Sequence, residues 1–303
     1  MPEPLDAKTP QDEPVEASIV ILTYHSDRFI GPCLESLRGL AGPSREIIVV
    51  DNASHDQTPE IVRSLGLPVR LVVNEENLGF GGGNNVGWRM ARGKFLIFLN
   101  PDTTVLPGWL EGMLEPFADP LVAVVGCKIY YPGGRTLQHA GAVLHPNAFT
   151  DHIGHKEEDH GQYDSLRDVD YVMGASMAIP RSIMERLGGF DEDYFPAYFE
   201  ESDLCYRLRK EGMRVVYTPH AAIYHHEAVT LDKFSDAFYR TYYSSRIKFL
   251  IKNYGLTDWL FRFLPAEIRW FSKPETKGLR HFVVKSYWEG LRFIGKKLRK
   301  FAG

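Results

Sequence analysis

The chain has 303 residues, of which 44% are hydrophobic and 24% are charged, and its formal net charge is −4. This composition suits a globular protein of one large or two small domains, and no apolar run approaches the roughly 20 residues of a membrane span. The three cysteines lie far apart without a CxxC pair, which argues against a disulfide framework or a zinc site and fits a reducing cytoplasm.

The two ends of the chain differ in charge. Residues 1–17 are acidic and Pro-rich, so we expect a disordered leader rather than a signal peptide. From Lys273 to the end there are nine Lys and Arg against two Glu, a net charge of +7, so the preceding residues carry −11. A basic tail on an acidic body favours an anionic partner for the tail, such as a membrane surface.

The first half of the chain alternates buried apolar runs with segments of helical spacing. Strands are predicted over 18–23, 46–51, 69–74 and 94–99, and helices over 27–40, 58–65 and 84–92. Because strands and helices alternate without hairpin spacing, the pattern predicts an α/β fold with a doubly wound, mostly parallel sheet.

The second half is less regular. Strands are predicted over 121–131, 169–179, 214–218 and 222–224, and helices over 181–187, 202–211, 235–254 and 279–301. The polar, His-rich residues 132–168 are interpreted as a long functional loop. The last helix has an apolar stripe formed by Phe282, Val283, Tyr287, Leu291, Ile294 and Leu298. Two interpretations of this stripe stay open: a helix lying on an anionic bilayer, or one packed on its own domain or a dimer partner.

Polar or Gly-rich segments follow each of the first four predicted strands: TYHS (23–26), DNAS (51–54), NLGFGGGNN (77–85) and NPD (100–102). Ligands bind at the carboxyl ends of the strands in an open α/β sheet, so the sequence predicts a nucleotide crevice with Asp51 on a uracil or thymine imide or on ribose. The glycine cluster is expected to be a loop that approaches the ligand closely. It matches neither a dinucleotide fingerprint nor a P-loop.

Three carboxylate and histidine groups are candidates for chemistry. Asp102 is placed to bind a hard divalent cation together with substrate phosphates. Glu200, Glu201 and Asp203 follow aromatic residues and are either a general base with its neighbours or the acidic first turn of a helix. The pair His225-His226 is either structural or completes a metal site.

At this point the chain resembles glycosyltransferase family 2 enzymes of the GT-A fold. The resemblance is nearest to bacterial rhamnosyltransferases and related O-antigen or cell-wall sugar transferases. The matching segments are IVILTYHS, EIIVVDNAS, NEENLGFGGGNNVGW, FLIFLNPDT, YVMGASMAIPRS, GGFDEDYF, FEESDLCYRLRKEG and IYHHEAVT, within residues 18 to about 230. The resemblance implies inverting transfer of a sugar from a nucleotide-sugar, assisted by Mg²⁺ or Mn²⁺.

The resemblance also implies roles for individual residues. The donor would be bound by Thr23, Tyr24, Ser26, Asp51, Asn52, Asn77, Gly79, Phe80, Asn84 and Asn100. The metal ligands would be Asp102 and His225, with Asn100 replacing the first acid of the family's DxD motif. The catalytic base would be Glu201, beside Glu200, with Asp203 in reserve, although the family's motif is Glu-Asp rather than Glu-Glu. The acceptor side is expected to include Gly174, Ala175, Ser176 and Asp191.

We therefore expect a GT-A catalytic domain over 18–231, with a nucleotide-sugar half (about 18–104) and an acceptor half (about 105–231), followed by a basic helical extension over 232–303. The expected reaction moves a sugar, with rhamnose favoured, from a dTDP- or UDP-sugar to a saccharide or polyprenyl-linked acceptor in cell-surface polysaccharide synthesis. The expected location is the cytoplasm or the inner face of the membrane. An oligomer stays open, and no nucleic-acid partner is expected.

Two other classes of function stay open. A sugar nucleotidyltransferase shares the sheet and the metal, but it should carry a Gly-rich loop with Lys or Arg after the first strand, which Thr23-Tyr24-His25-Ser26 lacks. An inactive sugar-nucleotide-binding module is the second.

Overall fold

The computed structural model describes residues 14–227 and 235–302, with side chains described as far as residue 295. The strands are β1 (Ala17–Thr23), β2 (Arg45–Asp51), β3 (Val69–Val73), β4 (Phe95–Leu99), β5 (Thr103–Val105), β6 (Val122–Tyr130), β7 (Leu137–His139), β8 (Ala142–Leu144), β9 (Thr150–His152), β10 (Arg167–Asp168), β11 (Ser176–Pro180) and β12 (Arg214–His225). The helices are α1 (Ile30–Leu37), α2 (Thr58–Ser64), α3 (Gly79–Met90), α4 (Trp109–Leu114), α5 (Arg181–Leu187), α6 (Glu200–Lys210), α7 (Asp236–Asn253), α8 (Leu256–Asp258), α9 (Leu264–Ser272) and α10 (Arg280–Ala302).

One large sheet organises the described residues. Its strand order is β10-β12-β6-β11-β4-β1-β2-β3, with β5 on β12 and β7 on β6. The strands β3, β2, β1 and β4 are mutually parallel, whereas β11 runs antiparallel to both β4 and β6. The prediction of an α/β fold with a largely parallel sheet is confirmed, and its carboxyl edge gathers the ends of β1, β2 and β4.

Helices cover both faces of this sheet. Ile19 and Ile21 of β1 belong to one buried cluster together with Leu34 of α1. Val20, between them, belongs to a second cluster on the other face together with Leu204 of α6. Because both faces are buried, the central strands are unbroken apolar runs rather than alternating ones, which explains why they were easily predicted.

The glycine cluster lies in a helix, so the predicted loop is wrong. Helix α3 begins at Gly79, before the predicted start at residue 84. A Cβ atom on Gly83 would lie 2.3 Å from Leu22 Cδ1, and one on Gly87 would lie 2.3 Å from Val20 Cγ1. The glycines therefore allow α3 to pack closely on β1, and this packing outweighs their low helix propensity.

The second half departs further from the prediction. The strand expected over 169–179 is confined to β11, and the two short strands expected over 214–224 form one strand, β12, with an irregularity between Thr218 and Ala222. Residues 132–168 contain four short strands and bury Leu137, His139 and Ala140. This segment is thus folded onto the domain instead of forming one long loop.

The C-terminal helices share a core with the region around α6. Phe249 of α7 packs in one cluster with Phe199 and Tyr206. In α10, Phe282 and Val283 are buried together with Tyr243 of α7, so the packed interpretation is correct for this part of the predicted stripe. The predicted boundary at 231/232 and residues 1–13 of the predicted leader lie outside the described residues, as does the side chain of Leu298; Ala17 begins β1.

In the part of the chain that the structure describes, we find no helix with both the length and the apolar character needed to cross a bilayer.

Candidate active site

Asn52 fixes the donor side of the crevice. Its Nδ2 donates hydrogen bonds to Asn77 Oδ1 (2.8 Å) and to the carbonyl oxygen of Gly79 (3.1 Å). Its Oδ1 accepts hydrogen bonds from Asn74 Nδ2 and from the backbone N–H of Leu78, both at 3.0 Å. Since all four hydrogen bonds of the amide are made, the loop entering α3 is held firmly against the end of β2.

Thr23 and Asp51 join the ends of β1 and β2. The Thr23 hydroxyl donates to Asp51 Oδ1 (2.8 Å), and the backbone N–H of Ser54 donates to Asp51 Oδ2 (2.9 Å). Both side chains are fully buried. The neighbouring loop turns through Tyr24, whose N–H donates to Ser26 Oγ (3.2 Å). These contacts bring the predicted donor residues together, while the contact of Asp51 with a nucleotide base or ribose stays a prediction.

The helix α3 connects the donor side to the acidic segment. Asn84 donates to the carbonyl oxygen of Phe80 within the helix (3.0 Å). Asn85, which the sequence analysis missed, donates to the carbonyl oxygen of Phe190 and accepts from its N–H, both at 2.9 Å. The repeated Asn84-Asn85 pair was the only signal for this contact in the sequence. Asn85 therefore holds the segment around Phe190, which precedes α6, against α3.

Asp102 and His225 meet because β5 pairs with the end of β12. The ladder places His225 opposite Thr103, and His225 Nε2 then lies 3.2 Å from Asp102 Oδ1. The amide Nδ2 of Asn100 lies 3.5 Å from the same Nε2, across a separation of 125 positions in the chain. Both Asp102 and His225 are buried. The two predicted metal ligands and Asn100 are therefore brought together.

Gln138 orients the imidazole of His225. Its Oε1 lies 2.7 Å from His225 Nδ1, and Gln138 is almost fully buried. A carbonyl oxygen only accepts, so this contact favours a hydrogen on Nδ1 and directs Nε2 towards Asp102 and Asn100. The sequence analysis missed Gln138 because it lies in the segment interpreted as a loop.

These side chains fit a divalent cation. A carboxylate, an amide and an imidazole suit Mg²⁺ or Mn²⁺, which commonly take one or two protein ligands plus substrate phosphates. Across residues 14–227 and 235–295, no group of three or more His, Cys, Asp or Glu is arranged to hold a metal. The remaining ligands of a cation here would thus come from the substrate and water.

The start of α6 is strained. Tyr198 and Phe199 have φ values of 77° and 76°, a left-handed backbone conformation that bulky residues rarely adopt. Phe199 is buried against α7. The ring of Tyr198 packs edge-on against the ring of Phe238, with 5.4 Å between the ring centroids. This packing holds the two residues in place. Such strain is concentrated at functional sites, and here it sets the direction in which Glu200 and Glu201 leave the turn.

Glu200 and Glu201 connect the donor helix to the predicted acceptor side. Glu200 packs on Gly81 in the first turn of α3, where a Cβ atom on the glycine would lie 3.4 Å from Glu200 Cγ. Glu201 lies beside Gly174, where a Cβ atom on the glycine would lie 3.8 Å from Glu201 Cδ. The two neighbouring carboxylates therefore lie between α3 and the segment before β11.

Burial changes the acidity of both carboxyl groups. Burial raises the pKa of Glu200 well above its ordinary value, and the charge of Glu201 raises it further. Burial also raises the pKa of Glu201. Glu200 Oε1 is buried without a hydrogen-bond partner. A carboxylate with a raised pKa is a stronger base, so this pair is suited to accept a proton from a hydroxyl group.

Asp203 has a structural environment. It accepts hydrogen bonds from the Tyr194 hydroxyl (3.0 Å), Arg207 Nε (2.8 Å) and Asn253 Nδ2 (2.7 Å). These three donors occupy its carboxylate and tie α6 to α7. The geometry therefore favours Glu201 over Asp203 as the base.

The predicted acceptor residues divide into two groups. Gly174 and Ala175 lie at the site: a Cβ on Gly174 would lie 2.9 Å from Phe80 Cζ, and the carbonyl oxygen of Ala175 accepts from the N–H of Asn100 (3.0 Å).

Ser176 and Asp191 have partners within the protein. Ser176 is buried in β11, and its hydroxyl accepts from Trp109 Nε1 (3.1 Å). Asp191 is half-buried and accepts from the N–H of Asp193 and from Lys252 of α7. A contact of either side chain with an acceptor stays a prediction.

Solved structures share this architecture. The mannosyltransferase of Pyrobaculum calidifontis, solved in complex with GDP-Man and Mn²⁺, aligns with a TM-score of 0.60 over 99% of this chain and 84% of that chain, at 18% sequence identity. The fold is the GT-A fold, which confirms the predicted fold class.

Its family follows from the sequence itself. The family described as "Glycosyl transferase family 2" matches residues 18–188, more than half of the chain. The chain belongs to glycosyl transferase family 2. The match ends before Glu200, Glu201 and His225, so these residues are placed by the structure rather than by the family match.

Two relatives illustrate the range of the family. An uncharacterised protein of Sinorhizobium fredii is 32% identical over 225 residues, which cover 70% of this chain and 24% of that protein. The chain thus spans about a quarter of that relative's length. The N-acetylglucosaminyl-diphospho-decaprenol L-rhamnosyltransferase of Mycobacterium tuberculosis is 27% identical over 296 residues, which cover 88% of this chain and 92% of that protein. The expected likeness to bacterial rhamnosyltransferases is confirmed.

Proposed function

We propose that this protein transfers a sugar from a nucleotide-diphosphate donor to an acceptor hydroxyl group, with inversion at the anomeric carbon and with a divalent metal. The observation that carries the proposal is the pair Glu200, which is buried, and Glu201, which is half-buried, at the start of α6; Glu200 packs on Gly81 of α3 and Glu201 lies beside Gly174. A general base at the boundary between donor and acceptor is what a single-displacement transfer requires.

Asp102 and His225 would hold the metal, with Asn100 beside them. When bound, the cation would neutralise the negative charge of the diphosphate leaving group. The protein's part would be to present the Asp102 carboxylate and His225 Nε2 at one place; the pairing of β5 with β12 and the contact from Gln138 support this. The substitution of Asn100 for an acid leaves one negative charge fewer in the site, so we expect affinity for the metal to depend on the donor diphosphate.

Glu201 would act as the base. The acceptor hydroxyl loses its proton to the Glu201 carboxylate while its oxygen bonds to the anomeric carbon. The bond from that carbon to the diphosphate oxygen breaks with its electron pair, and the nucleoside diphosphate leaves. Because the hydroxyl attacks opposite the leaving group, the configuration is inverted. Glu200, which packs on Gly81, would orient its neighbour or an acceptor hydroxyl.

The substrates are proposed from the Mycobacterium relative. That protein is named for L-rhamnosyl transfer to a decaprenol-linked saccharide. We propose rhamnose from a dTDP- or UDP-sugar as the favoured donor group and a saccharide or polyprenyl-linked saccharide as the acceptor, in cell-surface polysaccharide synthesis. A lipid-linked acceptor places the proposed reaction at the cytoplasmic face of a membrane.

A donor screen tests this proposal. The full chain is unfolded thermally with dTDP- and UDP-sugars, with and without Mn²⁺ or Mg²⁺, since a ligand that binds only the folded state raises the midpoint. Donors that stabilise the protein are then incubated with saccharide acceptors, and the anomeric configuration of the product is read by NMR. We expect metal-dependent stabilisation and an inverted product.

The other outcomes separate the alternative classes. Pyrophosphate release from a nucleoside triphosphate and a sugar 1-phosphate would identify a nucleotidyltransferase. Stabilisation by a donor without hydrolysis or transfer to any acceptor would identify a binding module.

A further inference from the structure

The C-terminal helices expose many large apolar side chains. Within the described residues, nine of the fourteen exposed large hydrophobic residues lie between Leu256 and Ile294. Five of them are between 61% and 76% exposed: Leu256, Phe261, Ile268, Trp288 and Leu291. Scattered apolar residues are normal on a protein surface, but a concentration of this kind marks an interaction site.

The segment 256–268 exposes one side. Leu256, Leu260, Leu264 and Ile268 are all exposed. They lie along one helical segment in which a π-helical turn (Trp259–Phe263) joins α8 to α9. Phe263 and Glu267 point the other way and are buried. The stripe is therefore a surface feature and not part of the core.

Helix α10 exposes a face that differs from the predicted one. Phe282 and Val283, which belong to the predicted stripe, are buried against α7. The residues Val284, Trp288 and Leu291 lie at i, i+4 and i+7 and are exposed. The outward apolar face of α10 is thus centred on Trp288, which the sequence stripe did not include, and it shares Leu291 and Ile294 with that stripe.

A buried network holds the two helical segments in place. Glu267 of α9 accepts hydrogen bonds from Arg246 Nη2 of α7 (2.5 Å) and from the Tyr287 hydroxyl of α10. In addition, the ring of Trp270 stacks on Phe149 at 4.9 Å. The exposed stripes therefore belong to a framework anchored to the catalytic domain.

The positive charge around the exposed apolar residues favours an anionic partner. Exposed basic residues lie along the same segment: Arg262, Arg269, Lys273, Lys277, Lys285 and Arg292. Residues 273–303 carry a net charge of +7. A second copy of this surface would bring like charges together, whereas anionic lipid headgroups would attract it. A Trp-centred apolar stripe flanked by Lys and Arg is the pattern of a helix lying in a membrane interface.

We propose that this surface, defined by Leu256, Phe261, Ile268, Trp288 and Leu291 with the surrounding basic residues, docks onto an anionic phospholipid bilayer. The inference rests on exposure and charge and does not depend on the reaction proposed above. It differs from simple attraction of a basic tail, because apolar side chains of α8–α10 would enter the lipid and the basic residues would contact headgroups.

Flotation of the full chain with vesicles tests the proposal. We expect it to float with phosphatidylglycerol vesicles, to float less in high salt, and to stay in solution with phosphatidylcholine vesicles.

Phe261→Ser with Trp288→Ser should weaken binding roughly tenfold or more per side chain. The matched control is Val73→Ser with Leu121→Ser, two exposed apolar residues elsewhere, which should bind like the parent. Truncation after Ser272 is avoided because it would remove Phe282 and Val283 from the core.

Thermal unfolding of each variant confirms that it is folded, and Ile268→Ser with Leu291→Ser provides a second pair. Equal flotation of these variants and the parent would overturn the proposal, as would failure of the parent to bind anionic vesicles. If light scattering shows a dimer that Trp288→Ser converts to a monomer, the surface is a contact between copies and the proposal is wrong.

Discussion

The predicted donor edge, formed by Asp51 and Asn52, and the predicted catalytic edge, formed by Gln138, Glu200 and their neighbours, differ in how their buried polar groups are satisfied. On the predicted donor edge, Asn52 makes all four of its hydrogen bonds and Asp51 accepts from two donors. On the predicted catalytic edge, Glu200 Oε1 and Gln138 Nε2 are buried without a partner. The first edge has its hydrogen bonds satisfied, whereas the second retains an acceptor and a donor that a substrate could pair with.

This difference indicates which buried polar atoms lower the free energy of unfolding and are available to react or to bind a substrate. A buried polar atom without a partner costs about 1–3 kcal/mol. Folded proteins rarely keep such atoms except for a reason, and perturbed carboxyl groups are concentrated at reacting sites. Substitutions on the two edges should therefore have opposite signatures, with loss of stability on the donor edge and loss of chemistry on the catalytic edge.

Removing the metal carboxylate should have the largest effect. Asp102→Ala deletes the only carboxylate among the proposed ligands, so we expect turnover to be abolished, as it should be for the parent enzyme in EDTA. Initial rates and the Mn²⁺-dependent shift of the unfolding midpoint measure this. Asp168→Ala, at a surface position of β10, is the control and should retain activity. Full activity of Asp102→Ala, or of the parent in EDTA, would disprove the metal site.

Removing the base should come next. Glu201→Gln should lower kcat by about 10²–10⁴ while leaving the Kd of the donor nearly unchanged. In the parent, the rate should rise with pH through a pKa above the ordinary carboxyl value, because burial raises the pKa of Glu201. Asp203→Asn should instead lower the unfolding midpoint. If Asp203→Asn shows the kinetic loss and Glu201→Gln does not, the base is Asp203.

Removing the hydrogen-bond partner of His225 should have a smaller effect than removing Asp102 or Glu201. Gln138→Leu removes the acceptor for Nδ1–H, and loss of such an orienting partner typically weakens metal binding about 10–100-fold. Gln138→Glu retains an acceptor and should preserve most of the affinity. Calorimetric titration with Mn²⁺ and nucleoside diphosphate measures binding, and ¹⁵N NMR of labelled histidine reports the tautomer. Unchanged affinity and an unchanged tautomer in Gln138→Leu would assign Gln138 to packing alone.

On the donor edge, Asn52→Ala should mainly cost stability. It leaves partners on Asn74, Asn77 and Leu78 unsatisfied, so we expect the free energy of unfolding to fall by about 1–3 kcal/mol. Urea denaturation measures this. A fall in kcat without a change in stability would contradict the view of this edge as a platform.

The smallest effect should be a gain. The raised pKa of Glu200 means that the folded state holds its proton more tightly than the unfolded state, so stability falls as pH rises through the folded pKa. Glu200→Gln removes this cost, and the unfolding midpoint should rise at pH 8 but not at pH 4. A lower midpoint at pH 8 would show that the carboxylate contributes to stability.

The same contrast explains what could be predicted from sequence. The parallel strands in the first half of the chain were predictable because a strand that is buried on both faces is apolar at every position, as Ile19, Val20 and Ile21 of β1 are. The acidic pair was found from its motif. Gln138 was not, since its role depends on His225, which is remote in sequence and is brought near by the sheet. The start of α3 at Gly79 was missed because a glycine cluster is usually read as a flexible loop. Here the glycines are needed because α3 packs closely on β1.

The pairing of β5 with β12 has a consequence for how the enzyme is made. Asp102 leaves the ribosome long before His225, and N-terminal regions begin to fold during synthesis. The donor platform can thus form on a nascent chain, but the two ligands of the proposed metal site meet only after the last strand of the sheet has been synthesised. A product terminated before β12 would lack one of these ligands and, on the proposed mechanism, would be inert as a transferase.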